Sequence, residues 1–395
     1  MKILGVNAKS IKDSRGDATV EVTIETDVGK FSASAPNGKS KGKHEAKSYK
    51  KSLEEDIETL KKFGEYFSEE FIEKFEDLRR IEDILGKNVG ANTSIAMEYA
   101  ALKAMSKEQK KEIWEIIQDS IHDLSDKSKA PKRSPRLVGN CIGGGKHSEL
   151  VGNSKPDFQE FLLIPNLEAK EGYSKNLEIK KNSKELLQKK DSKFKGKKND
   201  ENAWMTSLNE KEVLEILTEF KIPLGLDVAA SSFYKRKKYH YQNPKLDRTD
   251  EEQLFYISNL IKNYNLFYIE DAFGEEDFEN FAKLVLRFPQ ALIVGDDLTV
   301  TNYKRVKKAI ELKAINALIV KPNQNGSLVE VARVVDLCKK NNIKTIFSHR
   351  SGETEESILA DLAFGFGADF IKCGITGKER EIKIKRLVEI EKGLK

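Results

Sequence analysis

The chain has 395 residues, enough for two domains with full cores, and no apolar run approaches the ~20 residues that a membrane span needs. Charged residues make up 34% and hydrophobic residues 38%, and the net charge of +5 is a small surplus over many charges of both signs. That balance suits anionic small molecules and makes nucleic acid an unlikely partner. Three widely spaced cysteines, Cys141, Cys338 and Cys373, form no disulfide framework, and the N-terminus MKILGVNAKS lacks a signal-peptide apolar region, so a reducing cytoplasm is the expected location.

Residues 1–36 read as an antiparallel sheet. Val20, Val22 and Ile24 alternate with Thr19, Glu21 and Thr23, and Phe31, Ala33 and Ala35 alternate with serines across the turn Asp27–Lys30. The loop PNGKSKGKHEA follows (36–46), a basic segment with two glycines. Residues 48–124 read as helices, with apolar stripes at Leu53, Ile57, Leu60 and at Ile95, Tyr99, Leu102. SDKSKAPKRSPR (125–136) is nearly devoid of apolar residues and marks a boundary, giving an α+β cap domain over 1–126 and a second domain over 127–395.

The second domain opens with the strand and glycine turn LVGNCIGGGKHSE (137–149), then FQEFLLIP (158–165), a lysine-dense stretch over 166–200, and DENAWMTS (200–207). After that a pattern repeats. IPLGLD ends on Asp227, NLFYIE on Glu270, ALIVGDD on Asp296 and Asp297, NALIVK on Lys321, IKTIFSH on Ser348 and His349, and ADFIK on Lys372. From Glu270 onward these ends are 26, 25, 28 and 23 residues apart, room for one strand, one helix and two loops. Apolar strands that finish on polar residues are the layout of a (β/α)₈ TIM barrel, an α/β fold whose chemistry sits at the C-terminal strand ends. The acids Asp227, Glu270 and Asp296, two lysines and a histidine are thus expected at one mouth. Facing carboxylates repel, and a hard divalent cation with oxygen ligands, Mg²⁺ above all, resolves that.

These blocks, together with DSRGDATVEV (13–22), LDVAASSFY (226–234), IED (269–271), GDDLTVTN (295–302), KPNQNGS (321–327) and SHRSGETEES (348–357), resemble the enolase (phosphopyruvate hydratase) family over nearly the whole chain. The resemblance implies reversible dehydration of 2-phosphoglycerate to phosphoenolpyruvate, a step of glycolysis and gluconeogenesis, on a C-terminal barrel capped by an N-terminal α+β domain. It implies that Asp227, Glu270 and Asp296 hold a first Mg²⁺, with a second, substrate-dependent ion reached by Ser40 in the loop 36–46. Lys321 becomes the base that takes the carbon-bound proton. A lysine is nearly all protonated at neutral pH, so its neighbour Lys372 and the metals must lower its affinity for that proton. Glu201 becomes the acid for the leaving hydroxyl, with Glu160 its partner, since a shared proton raises a carboxyl pKa. His147, Gln159 and His349 match substrate contacts, and Arg350 and Ser351 match phosphate ligands, a guanidinium fork suiting phosphate oxygens. Glu160, Glu270, Asp296, Lys321 and Lys372 also count as substrate contacts by the match.

Four features depart from the family pattern. Asn202 stands where a glycine is usual after the acid; Asn is among the least costly replacements if that position has φ > 0. The loop 148–157 is enlarged. Lys39, Lys41 and Lys43 crowd the 36–46 loop, and IEDP has become IEDA. The acidic C-terminal end reads Glu391–Lys392–Gly393; in the family that end often pairs with the arginine matched by Arg15 across a dimer, so a homo-oligomer is expected without a defined number of subunits. Two competing readings follow: a catalytically degenerate relative kept for binding or scaffolding, suggested by the altered acid loop and the lysines of 170–198, and a relative acting on another acid, which the phosphate pair Arg350–Ser351 disfavours.

Overall fold

The structure, a computed structural model, describes residues 1–39, 42–67, 70–121 and 133–394. Ser40, His122 and the boundary at 126 lie outside the described residues. The first strands are β1 (Ile3–Lys12), β2 (Ala18–Thr26) and β3 (Gly29–Ser34), an antiparallel sheet with β2 in the centre. The alternating residues Val20, Val22 and Ile24 are all buried. Helices α1 (Leu53–Phe63), α2 (Leu78–Leu85), α3 (Ala91–Gln109) and α4 (Ile113–Ile121) follow, and α3 packs across β2 and β3 through its apolar stripe.

The barrel begins with β4 (Arg136–Gly143) and β5 (Glu160–Leu163); then come α5 (Ala169–Lys190), the short β6 (Trp204–Met205), α6 (Glu210–Thr218) and β7 (Leu224–Asp227). A small antiparallel sheet, β8 (Tyr234–Lys235), β9 (Lys238–Gln242) and β10 (Lys245–Arg248), precedes α7 (Asp250–Tyr264) and was not visible in the periodicity. The regular repeat then runs β11 (Tyr268–Glu270), α8 (Phe278–Arg287), β12 (Leu292–Gly295), α9 (Tyr303–Glu311), β13 (Ala317–Val320), the one-turn α10 (Pro322–Asn325), α11 (Leu328–Lys340), β14 (Lys344–Ser348), α12 (Leu359–Gly365), β15 (Phe370–Lys372) and α13 (Lys378–Gly393).

Pairing of β15 with β4 closes the eight-stranded barrel β4-β5-β7-β11-β12-β13-β14-β15. It is not all-parallel: β5 runs antiparallel to both β4 and β7. Residues 144–159 contain no α-helix between β4 and β5, so the chain turns back on itself and the regular alternation of strand and helix starts only later. Val138, Leu162, Ile164, Tyr268, Val294, Ala317, Ile319, Ile346 and Phe370 fill the barrel interior as a separate core layer.

Candidate functional site

Side chains two residues apart on a strand share a face, so each residue two positions past an interior residue projects inward at the mouth. Tyr268 leads to Glu270, Val294 to Asp296, Ile319 to Lys321, Ile346 to Ser348 and Phe370 to Lys372. Glu160 reaches the same mouth from the other end of its strand, two residues before Leu162, because β5 is reversed; its register partner is Asp227, which in turn faces Glu270. Together with His147, Gln159, Glu201, Asp227, His349, Arg350 and Ser351, the residues Glu160, Asp296, Lys321 and Lys372 line one cavity of about 150 Å³. Glu270 lies beneath it, fully buried.

The centre of the charge network is Lys372. Its Nζ lies 2.9 Å from Asp227 Oδ2, 2.8 Å from Glu270 Oε2 and 3.3 Å from Glu160 Oε1. Tyr268 adds a hydroxyl donor to Glu270 Oε2 at 2.5 Å, and Gln159 Nε2 donates to Asp227 Oδ2 at 3.3 Å. Burial, and then the charge of Asp227, push the Glu270 carboxyl up to about 8, against the pull of Lys372. The acids of β7 and β11 therefore answer first to an ammonium between them, while Asp296 pairs with Lys321 and accepts from Gln324 Nε2 at 2.9 Å.

Opposing influences meet at Lys321. Burial, Arg350 and Lys372 do lower its proton affinity, but the ion pair with Asp296 outweighs them and raises its pKa above the ordinary lysine value. Here the lysine is an ammonium, held by a carboxylate that the resemblance marked as a metal ligand and substrate contact. Asp271, which sequence reasoning passed over, accepts the backbone N–H groups of Asp296 (3.0 Å) and Asp297 (2.7 Å) and so sets where both acids point. Its place as the last residue of the IED block was the available signal.

Glu201 is fully buried. It contacts His147 Nδ1 through Oε1 at 3.2 Å, accepts from Asn140 Nδ2 at 3.0 Å through Oε2, and has His349 Nε2 at 3.7 Å. Burial raises the carboxyl, but the histidines outweigh it and hold Glu201 well below the usual range. Burial also holds His349 well below an ordinary histidine. Burial and the charge on Glu201 drive Glu160 the other way, well above the carboxylate range. Of this pair Glu160 therefore has the higher proton affinity. Asn202 has φ 64°, the left-handed conformation that asparagine tolerates, so the altered loop keeps the backbone turn a glycine would make.

At the anion end, Arg350 Nη2 lies 3.1 and 3.0 Å from the Glu45 carboxylate and Nη1 donates to Asn323 Oδ1 at 3.1 Å. Ser351 Oγ accepts from the backbone N–H of Lys39 (2.8 Å) and from Arg15 Nη1 (3.3 Å). A Cβ on Gly38 would sit 1.9 Å from Arg350 Nη2, so a side chain there would displace the guanidinium. Lys39 reaches Asp200 Oδ2 at 3.2 Å, tying the loop to the acid segment. Arg15 is engaged within its own chain by Asp13 and Asp17, and Glu391 accepts the backbone N–H of Lys170 at 2.9 Å.

Among the described residues, Glu160 Oε2, Gln159 Oε1 and His147 Nε2 are buried without hydrogen-bond partners. Such atoms are costly unless a ligand meets them. Oxygen-donor groups come within 4.8 Å of one another in the set Asp271, Asp296 and Asp297; His147, Glu160 and Glu201 converge within the same distance. Carboxylate-rich donors fit a hard divalent cation; of the three acids expected at the first ion, only Asp296 belongs to either set, Asp227 and Glu270 being paired with Lys372.

Comparison with known proteins gives the same answer at both ends of the chain. Residues 3–117 match the family described as "Enolase, N-terminal domain", and residues 134–395 match "Enolase, C-terminal TIM barrel domain". An enolase of Methanosphaera stadtmanae is 37% identical, the alignment covering 98% of this chain and 96% of the relative. An enolase of Pyrobaculum aerophilum is 36% identical over 99% of this chain and 96% of its own length, and one of Methanothermobacter thermautotrophicus is 34% identical over 98% and 95%.

Proposed function

The chain belongs to the enolase family, a family of phosphopyruvate hydratases, and we propose from that premise how its barrel mouth divides the labour of dehydrating 2-phosphoglycerate to phosphoenolpyruvate. The observation that carries the reading is the juxtaposition, in one cavity, of a lysine base candidate, a buried acid candidate and a carboxylate cluster held at strand ends. Their intact residue types speak against a degenerate, binding-only relative.

In this reading Lys321 takes the proton from the carbon beside the substrate carboxylate. For that it must first lose the proton it holds now. Burial, Arg350 and Lys372 all push in that direction, and the fields of Asp296 and then Glu270 oppose them; neutralising those carboxylates frees the amine. Lys372 keeps its charge, paired as it is with Asp227 and Glu270, and faces the negative charge that develops on the substrate carboxylate. Glu201 delivers a proton to the leaving hydroxyl, with Glu160, which has the higher proton affinity of the pair, as its local source. His147 and His349 hold the Glu201 carboxylate in position. The Arg350 guanidinium and Ser351 hydroxyl take the phosphate, and Gln159 fixes Asp227.

We assign Asp227, Glu270 and Asp296 to a first Mg²⁺, and Ser40 with substrate oxygens to a second. When bound, these ions supply Lewis-acid stabilisation of the carboxylate on which charge accumulates. We further propose a cap over 1–126, a catalytic domain over 127–395, a homo-oligomer, and a cytoplasmic site, which suits three buried thiols with no disulfide.

The experiment mixes purified protein with 2-phosphoglycerate and Mg²⁺ and follows the enolpyruvate absorbance, then repeats it after chelation. Turnover that vanishes with chelator and returns with Mg²⁺ is expected. Folded protein without turnover above background overturns the assignment.

A further inference from the structure

The lysine-dense helix α5 contains one lysine unlike its neighbours. Lys181, Lys184, Lys189 and Lys190 are exposed, whereas Lys180 is buried. Its ammonium has no carboxylate within ion-pair distance among the described residues. Instead it donates to the backbone oxygen of Asn202 at 2.5 Å and to Thr376 Oγ1 at 2.5 Å. A buried cation without a counter-charge is expensive, and here that cost falls at one particular place. Asn202 is the left-handed residue directly after Glu201, and Thr376 belongs to the segment that joins β15, with Lys372 at its end, to α13.

The surroundings reinforce the anchor. The Lys180 carbonyl accepts from Trp204 Nε1 at 2.8 Å, which fixes the far end of the acid loop to the same helix turn. The Trp204 ring faces three ammonium groups, Lys180, Lys184 and Lys198, at 5.9, 5.6 and 5.3 Å. A Cβ on Gly377 would lie 2.4 Å from Asn202 Nδ2, so the loop and the segment after β15 pass close together at this point. The titratable groups that face the ammonium are Cys141 on β4, Lys198 in the loop, and Arg380 and Glu381 on α13.

We propose that Lys180 is a positioning residue for Glu201: its ammonium fastens the acid loop to residue 376 and so keeps the Glu201 carboxylate between His147 and His349. The inference rests on the reading of Glu201 as the acid of an enolase. Burial, the main influence on Lys180, brings its pKa down to about 8, so the clamp weakens on the alkaline side.

The test uses the full-length, Mg²⁺-loaded protein. Wild-type turnover of 2-phosphoglycerate is measured first; its absence overturns the functional reading without touching the geometry of the clamp. Lys180→Met is then compared with wild type from neutral to alkaline pH. The expected result at neutral pH is a drop in kcat of at least tenfold with KM changed less than threefold, because substrate binding is spared and proton delivery is not. The wild-type alkaline fall of kcat with a midpoint near 8 should be missing from the variant profile. Thr376→Val, which removes one of the two acceptors and leaves the lysine in place, should lower kcat three- to tenfold in the same pattern and serves if Lys180→Met does not fold. Folded variants with wild-type kcat, or a loss confined to KM, overturn the proposal.

Discussion

Replacing Lys372 by methionine tests the charge balance on which the site depends. The ammonium touches Asp227, Glu270 and Glu160 at 2.9, 2.8 and 3.3 Å, and the side chains involved are at most 5% exposed. Methionine keeps most of the volume and removes the charge. Taking away one partner of a buried ion pair costs about 3–5 kcal/mol, because the remaining charge is left desolvated. For domains of this size each kcal/mol moves Tm by roughly 2–4 °C, so in chelator Lys372→Met should melt roughly 6–20 °C below wild type. Saturating Mg²⁺ should return part of the loss, since an ion present at about a hundred times its Kd contributes about 2.7 kcal/mol to the folded state. Turnover should stay at least about a hundredfold down, an electrostatic stabiliser of the developing charge having gone. Thermal melts with chelator and with Mg²⁺, paired with the absorbance assay, give all three numbers. A variant that melts together with wild type in chelator would show that the acids do not depend on this ammonium, and the proposed division of labour would fail with it.

Further predictions concern other parts of the molecule. Burial, and then Asp157, raise Glu210 from 4.5 to about 7. The folded state therefore binds this proton more tightly than the unfolded chain, and its stabilising contribution is complete below about 4.5 and lost as pH climbs through about 7. Glu210→Gln, which keeps an oxygen for the Asp157 N–H at 2.7 Å, should remove that slope and be about 3 kcal/mol more stable relative to wild type at pH 8 than at pH 4; denaturant melts at the two pH values decide, and parallel curves refute it. Asn202→Ala, at φ 64°, should cost about 1 kcal/mol and lower kcat more than KM, whereas Asn202→Gly should be close to neutral in both. Arg350→Lys gives up the planar fork and should raise KM for 2-phosphoglycerate at least about tenfold with a smaller effect on kcat; an unchanged KM removes Arg350 from the phosphate site.

The strand ends were legible because a barrel strand alternates faces with period two and finishes at the functional rim. Asp227, Glu270, Asp296, Lys321, His349 and Lys372 could be picked out by reading apolar runs to their last polar residue, and all converge. Glu160 was identified by motif alone; its reach to the same rim required the reversal of β5, which no residue in FQEFLLIP announces. Asp271, Tyr268, Gln324, Asn140 and Glu45 escaped notice. Each acts by pointing a donor or acceptor at another site residue, and nothing about an isolated aspartate, tyrosine or amide states where it will point. The hairpin sheet β8–β10 escaped for a related reason: its strands are short and charged.

Which residues gather at the barrel mouth was therefore determined by the sequence itself, through residue type and the spacing of strands and helices. Which charge balances which was decided only in three dimensions. Lys372 settles between Asp227, Glu270 and Glu160, Lys321 goes to Asp296, and Glu160 takes the higher proton affinity of the carboxyl pair. Electrostatic energies between buried groups depend on ångström separations and on the loss of water. Strand register, the closure of the barrel and the reach of loops from distant parts of the chain set both.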